Sequence, residues 1–381
     1  MDTDVLVPDE LNEFVASISH QAFDRIAPYA EALDREQRFS EPVWSALRDM
    51  GMFALTLPVE AGGAGAPFLA FALATEAIAM VSAAAALYPG TTVQVAGAVL
   101  RLGSESQRDI YLPGLLAAER PAAWAFTEPG TGSDPKQLTT TARRDGDGWR
   151  LSGQKLFISY ARQCSVALVF ARTDEGIGAF LVEPAAEGWS TGEPFEVMAL
   201  GGSEPAPIFL DDLWVPDKAL LGGPSGGFDA MIAGEALGKV RASAINLGIT
   251  RRAIEVASTF ALERMHRGEA IGTKFPTIQT HLAEMETVML GARSLVLDAA
   301  RLVDAGANVA RVAAAARIAS GRAAREATNA ALQVCGAYGL TRDMIVERLY
   351  REAKFFEVAQ GAVDLQRVIV ARHVLDDARK R

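Results

Sequence analysis

The sequence predicts a mainly α-helical α+β chain: an N-terminal helical domain over residues 1–120, a small antiparallel β domain over 121–226, and a C-terminal helical bundle over 227–381. Three changes of texture carry that prediction. Up to about residue 120, apolar residues recur at three- and four-residue spacing. From Pro121 to Pro216, short β-prone runs alternate with Gly, Asp and Pro turns. From Gly227 onward, long segments rich in Ala, Leu, Arg and Glu return, with high helical propensity.

Leu11, Phe14, Val15 and Ile18 mark one face of a helix over Pro8–Ala30. Val43 and Leu47 mark a second over Ser40–Met50, with Ser40 as candidate cap and Pro42 in the first turn. Gly62, Gly63 and Gly65 break the chain before an Ala-rich helix. The window Phe68–Leu87 is long enough to span a bilayer. It contains Glu76, is dominated by Ala and lacks a basic flank, so a buried core helix is expected. Strands are expected at Ala122–Phe126, Leu138–Arg144, Trp149–Ser152, Val166–Ala171, Ala179–Val182 and Ile208–Val215, with Asp145-Gly146-Asp147-Gly148 as a turn. No long helix separates them and no glycine fingerprint is present, which excludes a parallel dinucleotide-binding domain. Helices follow at Phe228–Arg264, Phe275–Val303, Val309–Val334 and Asp364–Leu375.

Composition narrows the function. The 381 residues carry a net charge of -10, with 37 Lys+Arg against 47 Asp+Glu, a poor basis for nucleic-acid binding. Half the residues are hydrophobic and 22% charged, which excludes a disordered chain. Cys164 and Cys335 cannot build a disulfide framework or a four-thiolate site. His20, His266, His281 and His373 lack ligand spacing, so no metal is expected. The acidic N-terminus lacks a signal-peptide pattern, and a soluble, cytoplasmic protein without a membrane partner is expected.

Two segments carry candidate chemistry. Trp124–Asp134 reads WAFTEPGTGSD, a strand entering a glycine-rich loop. Thr127 and Ser133 offer hydroxyls, and Gly130 and Gly132 permit close approach of backbone N–H groups to an anion. An ordinary polar turn fits these residues equally well. Gly148–Ala161 brings Phe157 and Ser159 after a strand and a turn; taken alone, Phe157 reads as a core residue.

These segments, with PVEAGGAG (58–65), QRDIYLPGLL (107–116), LSGQKLFIS (151–159), ALERMHRG (261–268), THLAEM (280–285), QVCGAYGLTRDMIVERLYREAK (333–354) and LQRVIVAR (365–372), resemble the acyl-CoA dehydrogenase family over nearly the whole chain. The resemblance implies a C-terminal four-helix bundle and FAD held between subunits of a homodimer or homotetramer. It implies that Thr127 hydrogen-bonds the flavin, that Gly132 and Ser133 approach the pyrophosphate, and that Ser159 meets the ring edge. Phe157 stands where the family usually has a Trp against the flavin. From the neighbouring subunit Arg264 would reach the pyrophosphate, and Gln333 with Gly336 the adenosine end. The substrate implied is an acyl-CoA or acyl-carrier thioester.

The pattern departs where the family keeps its Tyr-Glu-Gly-Thr motif. Here the stretch reads Ala359-Gln360-Gly361-Ala362. An amide is not basic near neutral pH, so Gln360 cannot abstract a proton, although its backbone N–H can still polarise a thioester carbonyl. A second family location for the Glu, on the first bundle helix, is filled by Gly238, with Glu235 one turn back. Ala359, Ala362, Ala337, Arg267 and Pro276 also depart, several on the part of the FAD surface lent to a neighbour. The resulting expectation is an atypical FAD-dependent oxidoreductase on an acyl thioester, by elimination, desulfination or enoyl reduction. The alternatives are a non-catalytic subunit of a hetero-oligomer and an ordinary α,β-dehydrogenase with a relocated base.

Overall fold

The run expected as one helix from Pro8 to Ala30 divides at Ile26, because Pro28 can open a helix but not continue one. The computed structural model, which describes residues 7–132, 134 and 137–380, therefore begins with α1 (Asp9–Arg25) and α2 (Ala27–Glu36). Next come α3 (Glu41–Asp49), α4 (Phe68–Val81), α5 (Ala83–Leu87), α6 (Pro89–Leu102) and α7 (Glu105–Leu116). Ser40 occupies the cap position of α3, but its side chain makes no cap bond; its N–H donates to Tyr88 Oη at 3.0 Å.

The apolar window expected as one core helix is broken at Ser82, whose Oγ accepts from Ala85 N at 3.2 Å and starts α5. Ser82→Ala should cost about 1 kcal/mol in thermal denaturation, because this cap is buried; an unchanged midpoint would show that the cap contributes nothing. Glu76, inside α4, is buried and accepts from Arg251 Nη1 at 2.8 Å and Arg293 Nε at 3.2 Å. This pairing explains a carboxylate in an apolar helix. The segment Ala83–Leu102 is long and apolar enough to cross a membrane, yet 72% of it is buried inside the fold, as in a core helix.

The central sheet contains β1 (Ala122–Ala125), β2 (Thr141–Asp145), β3 (Gly148–Ile158), β4 (Val166–Arg172), β5 (Ile177–Val182), β6 (Trp189–Thr191), β7 (Ala206–Pro216) and β8 (Leu220–Leu221). Its order is β6-β7-β3-β2-β4-β5-β8, with β1 beside β4. The expected antiparallel domain is thus corrected to a mixed sheet: β1 runs parallel to β4, and β2 meets β4 in parallel at Thr141↔Arg172. β1 is also tied to the helical side, where Thr92 Oγ1 of α6 accepts from Ala122 N at 3.0 Å.

The C-terminal part holds α8 (Gly227–Glu263), the hairpin β9 (Met265–His266) and β10 (Glu269–Ala270), α9 (Ile271–Lys274), α10 (Pro276–Asp304), α11 (Ala310–Cys335), α12 (Ile345–Val358) and α13 (Val363–Arg379). Helices α8, α10 and α11 pack on one another, and α12 and α13 dock on α11. Helix α4 packs against α8 and α10, so one apolar cluster runs from Ile18 through Phe71 to Ile245, Val296 and Leu349. Asp304, at the end of α10, accepts from Phe68 N and Leu69 N and caps α4.

Candidate active site

The glycine-rich loop after β1 hangs on a buried ion pair. Lys155 Nζ lies 2.8 Å from Glu128 Oε1, and both side chains are fully enclosed. Glu128 also accepts from Thr139 N and Oγ1 at 2.6 Å and from Thr140 N at 3.0 Å. Lys155 donates onward to Phe170 O at 2.6 Å and Phe126 O at 3.3 Å. Burial pushes the Glu128 carboxyl up, but the Lys155 ammonium and the hydrogen bonds from Lys155, Thr139 and Thr140 outweigh it and hold the pKa at about 2. The pair is ionised at neutral pH and clamps both ends of the loop to the sheet. Both residues stand inside the two sequence motifs, 27 positions apart, and nothing local in either motif marks their pairing. The sequence offers one sign, a lysine that runs directly into the apolar strand residues Leu156, Phe157 and Ile158.

Leu156 N donates to Thr127 O at 2.8 Å, joining the loop to the end of β3. There the register against β7 shifts between Lys155 and Ile158. A bulge re-aims side chains. Phe157 takes a φ of 55° and is 55% exposed, its ring lying against Phe195 at a centroid distance of 4.7 Å. The reading of Phe157 as a core residue is therefore corrected: the bulge turns it outward. A bulky side chain at positive φ marks a position held for a purpose. Ser159 is half-buried, with Oγ 3.4 Å from Ser203 Oγ. Among the described residues, chain neighbours apart, nothing lies within 4 Å of where a Cβ would stand on Gly130 or Gly132. An outward aromatic, adjacent hydroxyls and a glycine loop with open space fit a flavin dinucleotide. Thr127, Gly132, Phe157 and Ser159 would hold its ring and nearer phosphate. Ser133 lies outside the described residues.

Arg264, Gln333 and Gly336 form a separate, exposed group at the far ends of α8 and α11. The Arg264 guanidinium lies over the Tyr338 ring at 5.7 Å, just beyond Gly336. Gln333 lines a groove of about 890 Å³ with His281, Arg322 and Glu326. Among the described residues no hydrogen bond, ion pair or ring contact joins this group to Thr127, Phe157 or Ser159.

Gln360 lies in the turn between α12 and α13 with φ 55°, followed by Gly361 at φ 85°. Arg317 of α11, fully buried, builds this turn. Its Nη2 donates to Phe356 O and, at 3.0 Å, to Ala359 O, while Nε reaches Gln360 O at 3.4 Å. These bonds satisfy the open carbonyls at the end of α12. Arg241 of α8, only 3% exposed, donates from Nη2 to Gln360 Oε1 at 3.0 Å. Burial drives the Arg241 pKa down to about 10, so it remains a cation. Arg241 was not singled out in the sequence; an Arg in a long Arg-bearing helix gives no local sign of burial.

Gly238 and Arg241 line a cavity of about 340 Å³ with Gly90, Gln94 and Arg101. Gln94 Nε2 donates to Gly234 O at 2.9 Å and would stand 3.0 Å from a Cβ on Gly238. Glu235 is half-buried; burial raises its carboxyl pKa, against the pull of Lys239 and Arg241. The region thus holds a cavity, a non-basic amide on a fixed turn and a buried guanidinium.

Three family models cover the chain: acyl-CoA dehydrogenase N-terminal domain at residues 8–119, middle domain at 123–213 and C-terminal domain at 225–375. The chain is 32% identical to a 3-(aryl)acrylate reductase of Clostridium sporogenes, over 96% of this chain and 99% of that protein. It is 33% identical to the human mitochondrial short-chain specific acyl-CoA dehydrogenase, over 91% and 86% of the respective chains. Among solved structures, butyryl-CoA dehydrogenase from Megasphaera elsdenii superposes with a TM-score of 0.93 at 26% identity, covering 98% of this chain and all of that one.

Proposed function

The chain belongs to the acyl-CoA dehydrogenase family of FAD-dependent oxidoreductases, and we propose that it acts on an acyl thioester by a step that does not begin with proton abstraction at position 360. Reduction of an enoyl thioester is the preferred direction: Cβ would gain a hydride equivalent supplied by reduced FAD, and Cα would take its proton from solvent, because the Gln360 amide has none to give. One observation carries this reading: the amide of Gln360 sits on the turn fixed by Arg317, with its Oε1 accepting from Arg241. That oxygen is occupied, and an amide has no basicity to offer near neutral pH. The backbone N–H of Gln360 donates to no group among the described residues. It is therefore available to a thioester carbonyl and to the negative charge that develops there. FAD, when bound, supplies the two-electron chemistry. Thr127, Ser159 and Phe157 orient its ring, and the Glu128–Lys155 pair keeps their loop in place. The name of the C. sporogenes relative describes reduction of an acrylate double bond, which supports the same direction. The exposed Arg264, Gln333 and Gly336 suit a surface offered to a second copy of the chain.

The test is spectroscopic. Holoprotein mixed anaerobically with saturated acyl-CoAs of several lengths should keep its visible flavin band, whereas chemically reduced holoprotein should be reoxidised by an enoyl-CoA. Rapid bleaching by a saturated acyl-CoA overturns the reading. Glu235 supports a second one, an ordinary α,β-dehydrogenase with a displaced base. It is a carboxyl whose pKa burial raises, one helical turn from the empty Gly238 position.

A further inference from the structure

Arg241 is a buried cation that makes no ion pair among the described residues. Its guanidinium faces the cavity lined by Gly90, Gln94 and Gly238. Its one hydrogen-bond partner is the neutral Gln360 Oε1, and its Nε, fully enclosed, has none. Among the described residues no carboxylate lies within ion-pair distance of it. The acidic groups nearby are committed or remote. Asp304, at the cavity's other wall, spends both oxygens on the N–H groups of Phe68 and Leu69. Glu235 is close enough to be felt but shares its field with Lys239. Lys239 reaches the same turn, its Cγ 3.7 Å from where a Cβ would stand on Gly361, and Arg101 adds a further cation to the cavity wall.

The guanidinium is accommodated by design of the backbone around it. A Cβ on Gly90 would lie 1.6 Å from Arg241 Nη1, so α6 admits this side chain only because residue 90 has none. Enclosing a charge is expensive unless an opposite charge or a full set of hydrogen bonds meets it. The described residues supply neither an ion pair nor a full set of hydrogen bonds, and a guanidinium's fixed fork of donors matches a carboxylate.

We propose that the acyl group entering this cavity carries its own carboxylate, which pairs with Arg241, so that the substrate is a short dicarboxylic acid joined to its carrier through one thioester. This inference rests on the thioester reading above. The contact of Arg241 with Gln360 sets the carboxylate a few atoms from the carbonyl that Gln360 faces, which limits the acyl chain to a few carbons. Long apolar acyl groups are disfavoured, because they would leave the guanidinium enclosed without an anion.

The experiment titrates holoprotein with glutaryl-CoA and with pentanoyl-CoA, which match in length and differ in the terminal carboxylate, reading perturbation of the visible flavin band and heat of binding. The expected result is at least about ten-fold tighter binding of glutaryl-CoA, since a charge-assisted contact contributes 1.5–3 kcal/mol and 1.4 kcal/mol is ten-fold. Arg241→Met should abolish the preference, lowering glutaryl-CoA affinity while leaving or improving that for pentanoyl-CoA. Gly90→Ala, which displaces the guanidinium without removing it, should reduce the preference as well. Equal affinities in the wild-type holoprotein overturn the inference and leave the thioester reading intact. Binding of neither thioester overturns both. The wild-type comparison decides the matter even if a variant fails to fold.

Discussion

Gln360→Glu should raise oxidation of a saturated acyl thioester by about 10²-fold, the low end of the 10²–10⁴ range for a positioned general base. The low end follows from the neighbour. Arg241, 3.0 Å from the present amide oxygen, would pair with the new carboxylate, hold its pKa down and so weaken it as a base. The double variant Gln360→Glu, Arg241→Met should therefore exceed the single one. The measurement is reduction of an artificial electron acceptor by fully flavin-loaded protein. A rate unchanged by Gln360→Glu, coupled with loss of the wild-type rate in Glu235→Gln, would assign proton abstraction to Glu235 and sink the proposed base-free step.

Lys155→Met should cost about 3–5 kcal/mol of stability and most of the bound flavin, because it strands the Glu128 carboxylate in a fully enclosed site without its cation. The pH dependence should change sign. In the wild type, Glu128 is held at about 2, below its ordinary 4.5, so its ionisation stabilises the fold above about pH 4.5, whereas burial holds Lys155 down at about 8, an opposing contribution that does not vary below that pH. That contribution is lost as pH falls toward 2. In Lys155→Met the enclosed carboxyl is pushed up instead, so stability should recover on mild acidification as it takes a proton. Thermal midpoints and flavin retention between about pH 2.5 and 8 check both statements. A variant that melts like the wild type across this range would show that the pair does not hold the loop.

The helices with a clear apolar stripe were legible, as were most strands, because both depend on local periodicity. Boundaries moved where a single residue interrupted the pattern: Pro28 divides the first helix and Ser82 the Ala-rich run. The parallel placement of β1 was not legible, since strand direction is set by where the preceding helices deliver the chain. Phe157 shows the same limit in the other direction. An aromatic in a strand reads as core, and only the bulge opposite β7 turns it to the surface.

The sequence by itself determined the order of helical, β and helical segments, the family, the glycine-rich loop and the absence of a carboxylate at position 360. Each depends on residue identity or on contiguous pattern. The tertiary structure decided what stands around that position. Arg241 and Gln360 are 119 residues apart, and Arg317 reaches the same turn from a third helix. Their meeting depends on helix packing and on a single missing Cβ at Gly90, neither of which leaves a mark on local sequence. The charge balance of the cavity belongs to the same class. Net charge counts every residue alike, whereas the cost of a cation depends on its enclosure and on which anion reaches it.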